Sequence, residues 1–558
     1  MVKRLRPARW PGLLLGLALV AAACGGGDGG GDGGDGGDGG GRSSSHIREG
    51  GTLRYAADRE PTGYNPSTSK DHGTAALWVV NRVYPSVFHA RPDSSLALDD
   101  DLMESAELTS QDPQTIVYRI SPKASWSDGT PIGADDFVYC WQSQNGRDRH
   151  LDVASTTGYE DIQSVTGSDN DKTVTVVFKR RFGDWRSLFG QMVPARYARA
   201  QPGGWNTGFD SSPEKIPSGG PFKIQSYAPG RSLTLARNER YWGSPAHLDK
   251  IVYRFLPEPG DRLSALERDE VDLIYPQPRL DQVRRVRRLP DVRYQINLGL
   301  SFEHFDFNFR DPRLGDLRVR QAIATGIDRR ELLDRTVGQL SSKATVLGNR
   351  VYLTGQKQYQ DHAGAFGTGD VAAARKLLED DGYTPGPDGI YQKAGRKLSF
   401  RFSTTAGNAL RETLGVLFRA QMKPVGIDIR IANAPSAKLF GDWLPRGDFD
   451  VACFAWVGTP FAVTGSRPLY TSGGGSNYGR YASPRVDRLF DQAAAELDPA
   501  KAAAVANRAD QVLWDDMATI PLFQEPTFLA WRSTFTNIAD NATGEGPLVD
   551  APHWALKA

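Results

Sequence analysis

The sequence predicts a mixed α/β protein of more than one domain, working outside the cytoplasm. Three observations predict it. Short β-patterned runs alternate with helical ones from Gly51 onward. The stretch beyond residue 50 is too long for a single core. The first residues read as an export signal.

Lys3, Arg4, Arg6 and Arg9 precede an apolar run from Leu13 to Ala23. These are the charged and apolar regions of a signal peptide over residues 1–23, too short to span a bilayer comfortably. The run ends Ala21, Ala22, Ala23, Cys24, which resembles the lipobox of bacterial lipoproteins, where the cysteine is lipidated and becomes the mature N-terminus. Ala21 departs from that pattern, since leucine is commonest there. The alternative is ordinary cleavage after the alanines, leaving a free cysteine. The Gly/Asp-rich segment 24–49 is expected not to fold, because glycine carries the largest backbone entropy cost and Asp28, Asp32, Asp35 and Asp38 repel one another. As a tether it reaches about 25 to 30 Å.

Farther on, "TLRYAAD", "TIVYRI", "TVTVVFK", "SLTLAR", "IVYRFL", "IDIRIAN" and "FDVACFAW" read as strands. Helices are expected from Asp316 to Val337, Asp370 to Asp381 and Ala500 to Trp514. In "ASWSDGTPIGADDFVYCW", Asp128-Gly129 marks a tight turn, and Asp135 and Asp136 start a helix where the dipole favours acids. In "VTGSDNDKTVTVVF" a polar loop between two β-patterned arms predicts a hairpin.

Composition narrows the function. With 67 basic and 66 acidic side chains the net charge is +1, which offers no field for nucleic acid. The eight histidines are scattered and no CxxC or HExxH occurs, so neither a metal site nor a cofactor is expected. Cys140 and Cys453 sit in apolar elements and read as small buried hydrophobes; a disulfide between them is the alternative in an exported protein. The 12 Trp and 19 Tyr suit a protein that binds small molecules. The rival class, a secreted hydrolase, lacks a GxSxG elbow and an SxxK with its partner motifs, so no enzyme is expected.

Taken together, "WSDGTPIGADDFVYCW", "SGGPFKIQSYAPGRSLTLARNERYWG", "DEVDLIYP", "DLRVRQAIATGIDRRELL", "MKPVGIDIRI", "GDFDVACFAW", "SNYGRYASPRVDRLFDQA" and "IPLFQEPTFLAW" resemble the family 5 extracellular solute-binding proteins, the dipeptide and oligopeptide receptors of ABC importers. The resemblance implies an α/β, type II periplasmic-binding-protein-like Venus flytrap with two lobes and an extra inserted subdomain. Its main lobe would comprise 50–83, 191–297 and 515–558, the inserted subdomain 84–190 and the second lobe 298–514. It implies a lipid-anchored monomer at the outer face of the cytoplasmic membrane, in the envelope or periplasm. There it would capture peptides and deliver them to permease subunits, touching the membrane through its anchor alone. The same fold also takes oligosaccharides, opines, metal complexes or haem, and it can serve signalling receptors.

Site residues follow from the same resemblance. The family's backbone-reading segment corresponds to Ala455, Trp456, Val457, Gly458 and Thr459; the alternative for Trp456 is a core anchor. Oligopeptide receptors commonly carry an aspartate just after this Trp for the ligand's ammonium, whereas this chain has Gly458, Thr459 and Pro460. Glu60 is the expected substitute, with Tyr64 and Asn65 on the same loop. Asn308 matches a ligand-contacting asparagine, with Phe305 and Phe307 on the same edge, and Asn477 and Tyr478 lie in a loop facing the cleft. Asp448 and Asp450 read as structural.

Overall fold

The structure, a computed structural model, describes residues 47–558. The signal segment, Cys24 and nearly all of the tether lie outside the described residues. The chain opens with β1 (Thr52–Ala57). An excursion follows: β2 (Met103–Gln111), β3 (Gln114–Ile120), helix α1 (Ala134–Gln144), β4 (Ile162–Ser168) and β5 (Thr173–Phe178). Next come β6 (Phe222–Ala228), β7 (Ser232–Arg237), β8 (Lys250–Phe255), β9 (Leu273–Ile274) and β10 (Val292–Gln295). The long β11 (Leu298–Phe307) leads into α2 (Leu317–Gly326), α3 (Arg329–Asp334) and α4 (Val371–Asp380). Then follow β12 (Ser399–Ser403), α5 (Ala409–Val425), β13 (Asp428–Ile431), β14 (Val451–Val457) and α6 (Ala462–Tyr470). After these come α7 (Pro484–Ala495), α8 (Pro499–Asp515), β15 (Thr519–Pro526) and β16 (Leu529–Arg532), followed by short strands at Phe535–Thr536 and Ala555–Lys557 around a 3-10 turn.

Three sheets organise these strands. A seven-stranded sheet has the order β10-β16-β9-β1-β8-β7-β6, with β1 parallel to both β8 and β9. A four-stranded antiparallel sheet, β2-β3-β5-β4, builds the inserted part. A five-stranded sheet, β13-β12-β14-β11-β15, forms the second lobe. The chain passes between the two larger sheets twice, from β10 to β11 and from β15 to β16. This moves one expected boundary: β15, assigned by sequence to the main lobe, pairs with β11, so the return crossing falls between Pro526 and Leu529 rather than at residue 515.

Local chemistry explains most elements. Asp136 accepts from the Gly133 and Ala195 amides at 3.1 and 3.0 Å and so closes the first turn of α1. The hairpin loop holds Asp169, Asn170 and Asp171 at positive φ, a conformation that short polar side chains tolerate best after glycine. The helix expected from Asp316 to Val337 is interrupted: Ile327 is extended, and Asp328 starts α3 by accepting from the Glu331 amide at 2.9 Å. β11 is covered on both faces. Phe305 and Phe307 point into a core shared with Phe402 and Phe418 beneath α5, while His304 faces Phe454 and Trp456. Cys140 and Cys453 are both buried and free.

Candidate functional site

The end of β14 offers backbone that nothing among the described residues uses. Antiparallel to β11, it is bracketed by Gly458 N–H to Leu300 O at 2.8 Å and Asn308 N–H to Asp450 O at 3.0 Å. Bonded pairs alternate along such a ladder, so Trp456 and Phe454 bond to β11 while Ala455 and Val457 aim their N–H and C=O groups the other way. On that far side β12 stays beside β14 only as far as Ser403 and Ala452. The chain then turns off to Ala434, whose amide donates to Thr404 O at 3.0 Å. Among the described residues no strand therefore lies against the outer edge of Ala455 and Val457.

The side chains at this edge complete the picture. Val457 is 66% exposed, an uncovered apolar group at a strand end. The Trp456 ring is stacked between His304, at 6.0 Å, and Tyr478, at 5.7 Å, which fixes its orientation. A Cβ at Gly458 would lie 3.0 Å from both Leu300 O and Leu353 Cδ1, so only glycine lets the strand end stay this close to β11. Thr459 then turns the chain into α6 by accepting from the Phe461 amide at 3.2 Å.

Thr459 also lines a half-open cavity of about 500 Å³ bordered by three parts of the chain. The loop after β1 contributes Ser67, His72 and Thr74. The inserted part contributes Gln144, Ser155, Thr157 and Ser187, with Gln191 just beyond. The second lobe contributes Thr459, Phe461 and Thr464. The Ser67, Thr74 and Ser187 hydroxyls and the Gln191 side-chain amide have no hydrogen-bond partner among the described residues and are free for a ligand. Charges gather in a neighbouring cavity of about 640 Å³ across Phe461, where Asp93, Asp184, Arg186, Lys357 and Glu496 stand.

Between the two cavities the inserted part grips the second lobe. Asp184 accepts from both the amide and the hydroxyl of Thr464 in the first turn of α6, and the Gly183 amide donates to Ala494 O at 2.7 Å. Burial pushes the Asp184 carboxyl above its usual range, partly offset by Thr464.

A second charged group lies at the crossings. Glu303, fully buried on β11, receives Arg411 Nε at 2.8 Å, and Glu525 on β15 lies 4.0 Å from the same guanidinium. Gln277, beyond β9, donates to Glu525 at 3.3 Å. Burial, and then the neighbouring Glu303 charge, push the Glu525 carboxyl up to about 8. Among the described residues no group of three or more His, Cys, Asp or Glu is placed to hold a metal ion.

Several expected contacts are corrected by this geometry. Glu60 spends both carboxylate oxygens on the hairpin of its own lobe, accepting from the Tyr227 hydroxyl and the Gly230 amide. Phe305, Phe307 and Tyr64 are buried in cores. Asn65, Asn308 and Asn477 are structural: their amides bond to Trp205 O, to Gly447 and Phe449 O, and to Thr471 and Tyr481 O. Tyr478 reaches the site only through its stack on Trp456. Asp448 and Asp450 bind Arg401. The chamber's hydroxyls were not expected from sequence, because "PSTSK" and "ASTTG" look like any small polar loops.

Residues 98–478 match the family described as bacterial extracellular solute-binding proteins, family 5. The chain belongs to that family. Among family 5 relatives, the oligopeptide-binding protein OppA of Mycobacterium tuberculosis is 32% identical over 516 residues, covering 91% of this chain and 85% of its own. Among solved structures, the periplasmic EDTA-binding protein EppA aligns with a TM-score of 0.87 at 29% identity, covering 92% of this chain and 98% of its own. The oligopeptide-binding protein AppA of Bacillus subtilis, solved with a nonapeptide, shares the fold at a TM-score of 0.73 and 20% identity, over 92% of this chain and all of its own. This family 5 chain is thus a type II solute-binding protein with two lobes and an inserted third part, and its kin bind solutes rather than transform them.

Proposed function

We propose that the protein is the lipid-anchored receptor of an ABC importer, capturing peptides outside the cell and handing them to a membrane permease. One observation carries the reading: the free outer edge of β14 at Ala455 and Val457, beside a chamber that both lobes enclose. An extended peptide can join such an edge as an added strand, reading backbone rather than side chains. The likeness to OppA supports the same ligand class. Ala455, Trp456, Val457, Gly458 and Thr459 form the proposed contact segment. Native mass spectrometry of the purified protein tests it, since closing receptors retain ligand; a retained opine or metal chelate, with no peptide bound in calorimetry, would overturn it.

Two expected results follow from this reading. Gly458→Val should drive β14 away from Leu300 and Leu353, lowering peptide affinity by about tenfold or more in calorimetry while the fold persists. Cys24→Ser should move the protein from the membrane fraction to the soluble one, and continued membrane association would remove the lipid anchor.

A further inference from the structure

The loop after β1, the inserted part and the second lobe meet around the 500 Å³ chamber without supplying a single carboxylate, ammonium or guanidinium to its wall. Charged residues are 24% of the chain, so a wall drawn evenly from it would hold several. The charged groups that come near are engaged elsewhere. Asp184 is taken by Thr464, Asp152 accepts the Ser69 and Lys70 amides, and Lys70 sits between Asp71 and Asp210. What remains carries no fixed charge: free hydroxyls of Ser67, Thr74 and Ser187, the Gln191 side-chain amide, the Phe461 ring, and the His72 imidazole, whose Nδ1 lies 3.2 Å from Pro66 O.

We infer that this chamber selects ligands that are uncharged where they enter it, held by neutral donors and acceptors such as peptide amides or sugar hydroxyls. The ligand's backbone pairing rests on the peptide reading above; its charge class rests on the wall alone. The chemistry is direct. A hydroxyl or amide satisfies a neutral ligand group at little cost, whereas an ammonium or carboxylate brought out of water here would meet no opposite charge. In the turn after Trp456, Thr459 brings no charge and spends its hydroxyl on the Phe461 backbone.

Calorimetry with three probes of chamber size tests this: tetra-alanine as the zwitterion, its N-acetyl, C-amide form, and maltotriose. The blocked peptide is expected to bind on the order of a hundredfold more tightly than the zwitterion. Equal or tighter binding of the zwitterion would overturn the inference. Binding of maltotriose with neither peptide would uphold the uncharged chamber and remove the peptide reading, so the two fail separately. A gain-of-charge variant gives the converse. Thr459→Asp keeps a side-chain oxygen for the Phe461 amide and places a carboxylate in the chamber. It should raise the affinity for peptide with a free N-terminus and a blocked C-terminus by about tenfold, leaving the doubly blocked form no tighter. A variant that makes no such distinction would show that the wall does not read charge.

Discussion

Glu525→Gln is expected to stabilise the protein at pH 8 and leave it unchanged at pH 4. The Glu525 carboxyl stands at about 8 in the folded protein against an ordinary value of 4.5. An acid raised in this way holds its proton more tightly in the folded state. Below about pH 4.5 both states are protonated and the group contributes nothing to the pH dependence. Between about 4.5 and 8 the unfolded chain gives up its proton first, so stability falls as pH rises, by ~1.4 kcal/mol per unit and on the order of 5 kcal/mol in all. The groups facing Glu525 are Glu303, Arg411 and Gln277, with Cys453 behind Glu303 at 3.6 Å. Glutamine mimics the protonated acid and can still donate to Glu303. Thermal melts of parent and variant from pH 4 to 9 should therefore diverge steadily, and parallel curves would refute the protonated hinge carboxyl.

Asp510→Ala should cost roughly 3 to 5 kcal/mol, because it strands a buried cation. Arg350 and Asp510 are wholly buried, 3.6 Å apart, and Asp510 also accepts the Arg350 amide at 2.8 Å and His362 Nδ1 at 2.6 Å. The guanidinium lies 4.1 Å over the Trp514 ring and cannot reach water without unpacking α8. Denaturant titration measures the loss. A cost below about 1 kcal/mol would mean that the aromatic face and the Thr519 carbonyl suffice for Arg350.

What could be read from sequence and what could not divide along physical lines. Patterns set within one element were legible: α4 and α8, capped by Asp370 and Asp498, begin at Val371 and Pro499, each one residue from the expected start, and the "GSDND" turn joins β4 to β5. Contacts set by where separate elements dock were not. Nothing in "FDVACFAW" says that β12 will leave β14 at Ser403, yet that departure frees the edge at Ala455. The asparagines misled for a related reason. An amide that pins a turn and an amide that awaits a ligand look alike until the surrounding carbonyls are placed, and those around Asn308 and Asn477 were already close enough to use it. Likewise Ser67, Thr157 and Thr464 come from three parts of the chain, and only their meeting turns ordinary loop residues into a wall.

The Asp184 carboxylate that grips Thr464 stands in the neighbouring cavity rather than in the chamber wall, and that gives it a different kind of influence from the chamber it borders. Hydrogen bonds made only when the lobes are shut lower the free energy of the shut form whether or not anything is inside. They therefore set how large a fraction of empty molecules is already competent to bind, and apparent affinity scales with that fraction. Selectivity belongs to the wall; overall avidity belongs to this clasp. An exchange at Asp184, which lines the neighbouring cavity and not the chamber, would rescale the dissociation constants of all ligands by one common factor and leave their ranking untouched, so selection could retune such a receptor to scarcer or richer surroundings without relearning what it recognises.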